Sequence, residues 1–167
     1  MSRERIHIVS KLNLDGAGCI TVLKNLYSNA SITHEGAIDK NLRSCLERNK
    51  VGYDKLFVCG FHLNEDDIRI ISSNKNVFIF NNIDSAESQT HTNCTTFYKT
   101  CGSVTELIFK ERKSLVDVEF TKEQKILIKL ISDFESYNLK TPLSYALNIV
   151  YYSFSGDRLK QFSNVFK

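Results

Sequence analysis

The chain has 167 residues and a formal net charge of +3, long enough for one domain with a sizeable core and too short for two separately packed domains of usual size. The charge is small and spread along the sequence, so the electrostatic case for nucleic acid or an anionic membrane is weak, although a local basic site is still allowed. No apolar run is long enough to span a bilayer, and Met1 to Glu4 lead straight into a strand-like segment where a secretory leader would carry its apolar stretch. A cytoplasmic protein without membrane association is therefore expected. Five cysteines (Cys19, Cys45, Cys59, Cys94, Cys101) are an odd number without the close pairing of a disulfide scaffold, and they read as reduced thiols. With one proline, Pro142, no Gly-rich or Ser-rich tract and no internal repeat, residues 1–167 are expected to form a single domain.

In chain order, Arg5 to Ser10 reads as a strand that breaks at Asn13-Leu14-Asp15-Gly16. A helix follows, with Asp15 as a possible N-cap and Cys19, Val22, Leu23 and Leu26 as its apolar stripe through Tyr27. Lys55 to Cys59 is a second short apolar run. Asn64-Glu65-Asp66-Asp67 then caps a helix carrying Ile68, Ile70 and Ile71, and Asn76 to Phe80 is a third run. Leu56-Phe57-Val58 and Val77-Phe78-Ile79-Phe80 are too short for helices and do not alternate, as expected for strands buried on both faces of a parallel sheet. The fold class is thus α/β, a doubly wound and mostly parallel sheet. From about residue 101 the pattern turns helical: Thr105 to Lys113, Lys122 to Tyr137 behind a Thr121/Gln124 capping box, Leu143 to Tyr152, and Asp157 to Phe166. In the long helix Ile126, Leu127, Leu130, Ile131 and Phe134 are expected on the core face. The sheet region would occupy about 1–100 and the helical half about 101–167.

Four segments, in order, resemble the DHH phosphoesterases, the family of RecJ-type exonucleases, oligoribonucleases and inorganic pyrophosphatases. Ile8 to Gly18 resembles the first strand and its His-x-Asp-x-Asp-Gly loop, with Lys11 standing for the His, Asn13 for the first Asp, and Asp15-Gly16 retained. Leu56 to Glu65 is similar to the strand that ends in an Asp, a position taken by Gly60, or by Cys59 one residue earlier. Asn76 to Glu87 resembles the strand entering the Asp-His-His signature, which reads Asn81-Asn82-Ile83 here. Ile131 to Tyr137 looks like the helix with an Asp-x-Asp pattern, Asp133 matching the acidic ligand and Glu135 replacing its neighbour. Between these, Cys101 to Leu107 resembles the small-residue start of the helix after the signature. The resemblance covers about residues 5 to 165 and implies the N-terminal, catalytic-domain fold of the family. The family's second, substrate-binding domain has no counterpart in the remaining length.

The family's reaction, as the resemblance implies, is phosphoester hydrolysis by water held between two divalent cations, usually manganese. Such a site needs clustered carboxylates and imidazoles. Asn offers only a neutral amide oxygen, Ile83 offers no donor, and the Lys11 ammonium repels cations. The expectation is a catalytically inactive, DHH-like binding or regulatory protein, with a protein or a nucleotide- or nucleic-acid-like anion as partner. No cofactor is favoured, with manganese or magnesium expected if the family activity persists, and a homo-oligomer is possible. Lys11 and the helix start at Gly16, Ala17 and Gly18 form a candidate metal-free anion pocket. The degenerate site comprises Lys11, Asn13, Asp15, Gly60, Asn81, Asn82 and Asp133. Each also has a structural reading: Asp15 as a cap, Lys11 as a solvated lysine, Asn81 and Asn82 as strand terminators, Asp133 as an ion-pair partner. The alternative is a divergent metal-dependent phosphoesterase with a rebuilt site, for which Cys59, His62, His91 and Cys94 supply Cys-x-x-His and His-x-x-Cys pairs of a kind that binds zinc.

Overall fold

The computed structural model describes residues 4–36, 43, 52–71, 76–82, 94–154 and 157–165, the side chains of 164 and 165 excepted. Five strands form one sheet: β1 (Ile6–Lys11), β2 (Ser31–Glu35), β3 (Lys55–Cys59), β4 (Val77–Asn81) and β5 (Cys94–Tyr98). The order is β2-β1-β3-β4-β5 and every pairing is parallel. Helix α1 (Leu14–Leu26) follows β1, α2 (Glu65–Ile71) follows β3, and α3 (Val104–Leu115), α4 (Lys122–Glu135), α5 (Pro142–Ser153) and α6 (Arg158–Val165) complete the described elements. No described helix is long and apolar enough to cross a membrane.

The period-two alternation of each strand divides the core. Ile6, Ile8, Phe57, Cys59 and Phe80 face α1 and α3, while Val9, Leu56, Val58, Val77 and Ile79 face the other side with Phe61 and Ile71. Aromatic stacks of Phe57 on Phe78 and Phe80 on Phe97 run across the first face. Ile8, Val9, Phe57 and Phe80 are fully inaccessible, and side chains of this size contribute roughly 1.5–3 kcal/mol each when buried. A third cluster, Leu14, Ala17, Leu127, Ile131, Leu147, Tyr151 and Phe162, joins α4, α5 and α6 to α1.

The strands β2 and β5 are additions to the three read from sequence. In α4 the Thr121/Gln124 capping box is present, but the buried face is Leu127, Ile128 and Ile131, and Ile126 is exposed. Helix α1 begins one residue before Asp15, and its N-cap is Asn13, whose Oδ1 accepts the Gly16 amide at 2.9 Å. Asp15 is therefore not the cap of its own helix. The chain passes from β1 to β2 in one direction and to β3 in the other, so the carboxyl ends of β1 and β3 meet at the topological switch point, where open α/β sheets place their ligand crevice.

Candidate functional site

Lys11 ends β1 with its side chain exposed, and Gly60 follows β3 at φ 78°. A β-carbon on Gly60 would lie 3.6 Å from Cβ of Lys11, so space is available there and the positive φ is what favours glycine. Gly60, one of the two positions that the resemblance aligns with an Asp, thus has no side chain, and the other, Cys59, is buried.

Asp15, in the first turn of α1, is buried and reaches across to the start of α3. Its Oδ2 accepts the Val104 amide at 2.9 Å, and its Oδ1 accepts the Thr105 amide at 2.8 Å. The Thr105 hydroxyl lies 2.7 Å from Oδ1 and 2.8 Å from the Asp15 carbonyl oxygen. Ser103 Oγ accepts the Glu106 amide at 3.0 Å, so the first three amides of α3 are all satisfied, two of them by a residue 89 or 90 positions away. Burial pushes the Asp15 carboxyl above its ordinary range, against the pull of Thr105, Val104 and Lys11.

Glu135, on the last turn of α4, faces the same place. Burial first, then the charge of Asp15, pushes its carboxyl up to about 7, against the pull of the Asp15 backbone amide and of Lys11. Asp133 is turned elsewhere. Its oxygens accept the amides of Lys140 at 3.0 Å and Thr141 at 3.1 Å in the approach to α5, whose N-cap Thr141 makes no side-chain capping bond. Asp133 is held below the usual carboxylate range: what desolvation it suffers acts upward, and the donors Lys140, Ser144 and Thr141 outweigh it. Two acidic side chains thus each serve a helix start, Asp15 that of α3 and Asp133 that of α5, while Glu135 faces the start of α1.

Of the residues singled out from sequence, the structure gathers Lys11, Asn13, Asp15 and Gly60 near the ends of β1 and β3. Asn81 is buried, its Nδ2 donating to the Phe61 carbonyl at 3.0 Å and tying the end of β4 to the loop after β3. Asn82 is half-buried beside it, and Ile83 lies outside the described residues. The candidate anion pocket at Gly16, Ala17 and Gly18 is taken up internally. Asn13 holds the Gly16 amide with its side chain and the Ala17 amide with its carbonyl (3.0 Å). Gly18 is a packing residue: an added β-carbon would sit 2.4 Å from Thr105 Oγ1 and 2.6 Å from Ile131 Cδ1. Gly16 likewise leaves no room, with the Lys11 carbonyl oxygen 1.8 Å from such a carbon.

The cysteine-histidine set is not assembled. Cys59 is buried in the face toward α1 and Cys94 packs in the opposite face. Cys59 pairs with Phe80 and Cys94 with Val77, so they lie roughly 10 Å apart along β4 and two strand spacings apart across it, whereas zinc holds its sulfurs at about 2.3 Å. His62 is exposed and His91 lies outside the described residues. Among the described residues no three His, Cys, Asp or Glu side chains are grouped to hold a metal ion. Sequence reading missed Thr105 and the role of Glu135. The latter had a signal, because residues i and i+2 of a helix point about 200° apart and Asp133 and Glu135 could not both face α1.

A cleft of about 1050 Å³ opens on the β2 side, lined by Thr21, Lys24, His34, Gln124, Arg158 and Lys160 among others. His34 stands between this cleft and the switch point. Burial lowers its pKa, opposed by the carbonyls of Lys11 and Asn13 and the charge of Asp157.

No protein-family profile and no curated protein matches the sequence. Solved structures do. An uncharacterized protein from Helicobacter pylori G27 superposes with a TM-score of 0.70 at 13% identity, over 89% of this chain and 48% of that one. Exonuclease RecJ bound to manganese gives 0.57 at 11% identity, over 94% of this chain and 50% of RecJ. An exopolyphosphatase-related protein from Bacteroides fragilis gives 0.54 at 14% identity, over 98% and 57%. The fold is RecJ-like. The chain spans about half the length of these three structures.

Proposed function

We propose that this chain is a DHH-like binding protein in which the acidic residues of the ancestral metal pocket have become helix caps, and that it does not hydrolyse phosphoesters. The observation that carries this reading is the double engagement of Asp15 by the backbone of α3.

RecJ supplies the comparison, since its structure holds manganese. A pair of such cations requires several free, hard oxygen ligands. Among the described residues, both Asp15 oxygens already accept backbone amides, Gly60 has no side chain, and Asn81, whose nitrogen donates to Phe61, offers only a neutral amide oxygen. Lys11 adds a positive charge at the place where two more would sit. Among the described residues Glu135 is a further carboxylate that faces Asp15, and its environment favours its neutral form. This donor set does not fit a dinuclear cation site. An alternative reading, hydrolysis at a rebuilt metal site, would draw on the Asp15–Glu135 pair and must break the capping bonds of Asp15.

Of the two partner classes, a protein fits better than a nucleotide-like anion. The N-termini of α1 and α3 already receive carboxylates from within the chain, so an external phosphate would have to displace Glu135 from beside Lys11. The test is hydrolysis of short oligonucleotides, pyrophosphate and a chromogenic phosphodiester with manganese or magnesium. Background rates are expected for all three. Turnover that disappears in Asp15→Asn, with the variant still folded, would overturn the proposal.

A further inference from the structure

Helix α5 has no charged side chain anywhere in its twelve residues. Its inner face, Ser144, Leu147 and Tyr151, packs into the helical half of the core. Its outer face is equally apolar: Leu143, Tyr145, Ile149, Val150 and Tyr152 are between 41% and 64% exposed. At 100° per residue these five, with Ala146, span the half-turn opposite the buried stripe, where Ser153 at the last position of the helix is the one polar side chain. A helix apolar on all sides is the pattern of a buried helix, whereas a surface helix carries polar residues outward. Tyr145, Ile149 and Tyr152 fall at i, i+4 and i+7, the spacing of a helix-helix seam.

We infer that the outer face of α5 is a self-association surface, and that its occupant is α5 of a second copy of this chain packed antiparallel across a two-fold axis. The absence of charge on α5 itself reduces the like-charge repulsion that a two-fold would place across most surface helices, with the Arg158 guanidinium 5.6 Å from the Tyr152 ring at one end of the seam, and the antiparallel arrangement sets the two helix dipoles in opposition. Ala146 borders the seam, so no large side chain crowds that flank as two helices approach to a usual interaxial distance of about 8–10 Å. Size points the same way. A tyrosine side chain carries on the order of 200 Å², so the exposed parts of these five side chains sum to roughly 500 Å² per copy. Two copies would bury about 1,000 Å², the lower bound of a specific interface, and Tyr137 and Leu139 are exposed on the turn leading into α5. An interface of this size falls among the weak, reversible ones. The surface is independent of the switch-point site, so this proposal stands or falls apart from the capping argument.

Sedimentation velocity of the 167-residue chain from about 1 to 100 µM is expected to show a monomer-dimer equilibrium in the micromolar range. Ile149→Glu and Tyr145→Glu, both on the exposed face, should each weaken association at least tenfold while leaving the circular dichroism spectrum and unfolding midpoint unchanged. A monomer at every concentration would overturn the inference, including the case in which the face captures a different protein. So would a dimer that persists in both variants.

Discussion

Removing the Asp15 carboxylate is the perturbation with the most contrasting outcomes. In Asp15→Ala the amides of Val104 and Thr105 lose acceptors at 2.9 and 2.8 Å in a fully buried setting. Orphaned buried donors cost about 1–3 kcal/mol each, and the loss of a helix cap alone costs about 1 kcal/mol. Against this, the variant recovers the cost of burying a charge, which the upward displacement of the Asp15 pKa records. The balance is a loss of about 3 kcal/mol, a melting temperature lower by about 6–12 °C for a chain of this size. Asp15→Asn keeps one acceptor oxygen but turns its NH₂ toward a second amide donor, for a loss of about 2 kcal/mol. The assay is urea unfolding of the three proteins at pH 7, followed by circular dichroism. A carboxylate held in place for chemistry behaves oppositely, because its removal relieves strain and stabilises the fold. Variants as stable as the parent, or more stable, would refute the reasoning.

The Glu135 carboxyl, raised from 4.5 to about 7, contributes stability that is complete below about pH 4.5 and is lost as the pH rises through 7. Glu135→Gln keeps an acceptor for the Asp15 amide, so its stability should match the parent at pH 5 and exceed it by about 1 kcal/mol at pH 8 after allowance for solvent screening. Equal denaturation midpoints at both values would contradict this. His7, with ring nitrogens 2.7 Å from Ser31 Oγ and 3.1 Å from Thr33 Oγ1, is lowered by burial to about 4. A depressed histidine stabilises the fold above about 6.5 and withdraws that stability as the pH falls toward 4, and its ring protons in an NMR titration should not move until well below pH 5.5. For Gly18→Ala, overpacking against Thr105 and Ile131 predicts a loss of about 2 kcal/mol, where a role limited to a solvent-exposed anion pocket predicts little change in unfolding.

What was legible in the sequence was what local pattern controls. The runs that became β3 and β4 are continuous and apolar because both faces of a central parallel strand are covered, and β1 showed itself by Ile6, Ile8 and Val9 before the break at Asn13. The edge strands β2, with the sequence Ser-Ile-Thr-His-Glu, and β5 have a neighbour on one side only, and their polar residues disguise them as loop. The Thr121/Gln124 box was readable because both partners lie within one turn. The use of Asp15 was not, since its donors lie across the fold on α3 and no local rule ties residue 15 to residues 104 and 105. The same holds for Gly18, whose neighbours Thr105 and Ile131 come from two other helices. Motif order carried the fold, while the roles of the acidic residues depended on which helix start each one faced.

The most direct test of the central claim is manganese binding itself, measured by electron paramagnetic resonance as the loss of the free aqueous manganese signal when the chain is added. The capping account predicts that the signal of 50 µM manganese is undiminished by 200 µM protein at pH 7.5, and that Asp15→Asn behaves identically. Loss of most of that signal, abolished in a folded Asp15→Asn variant, would contradict it.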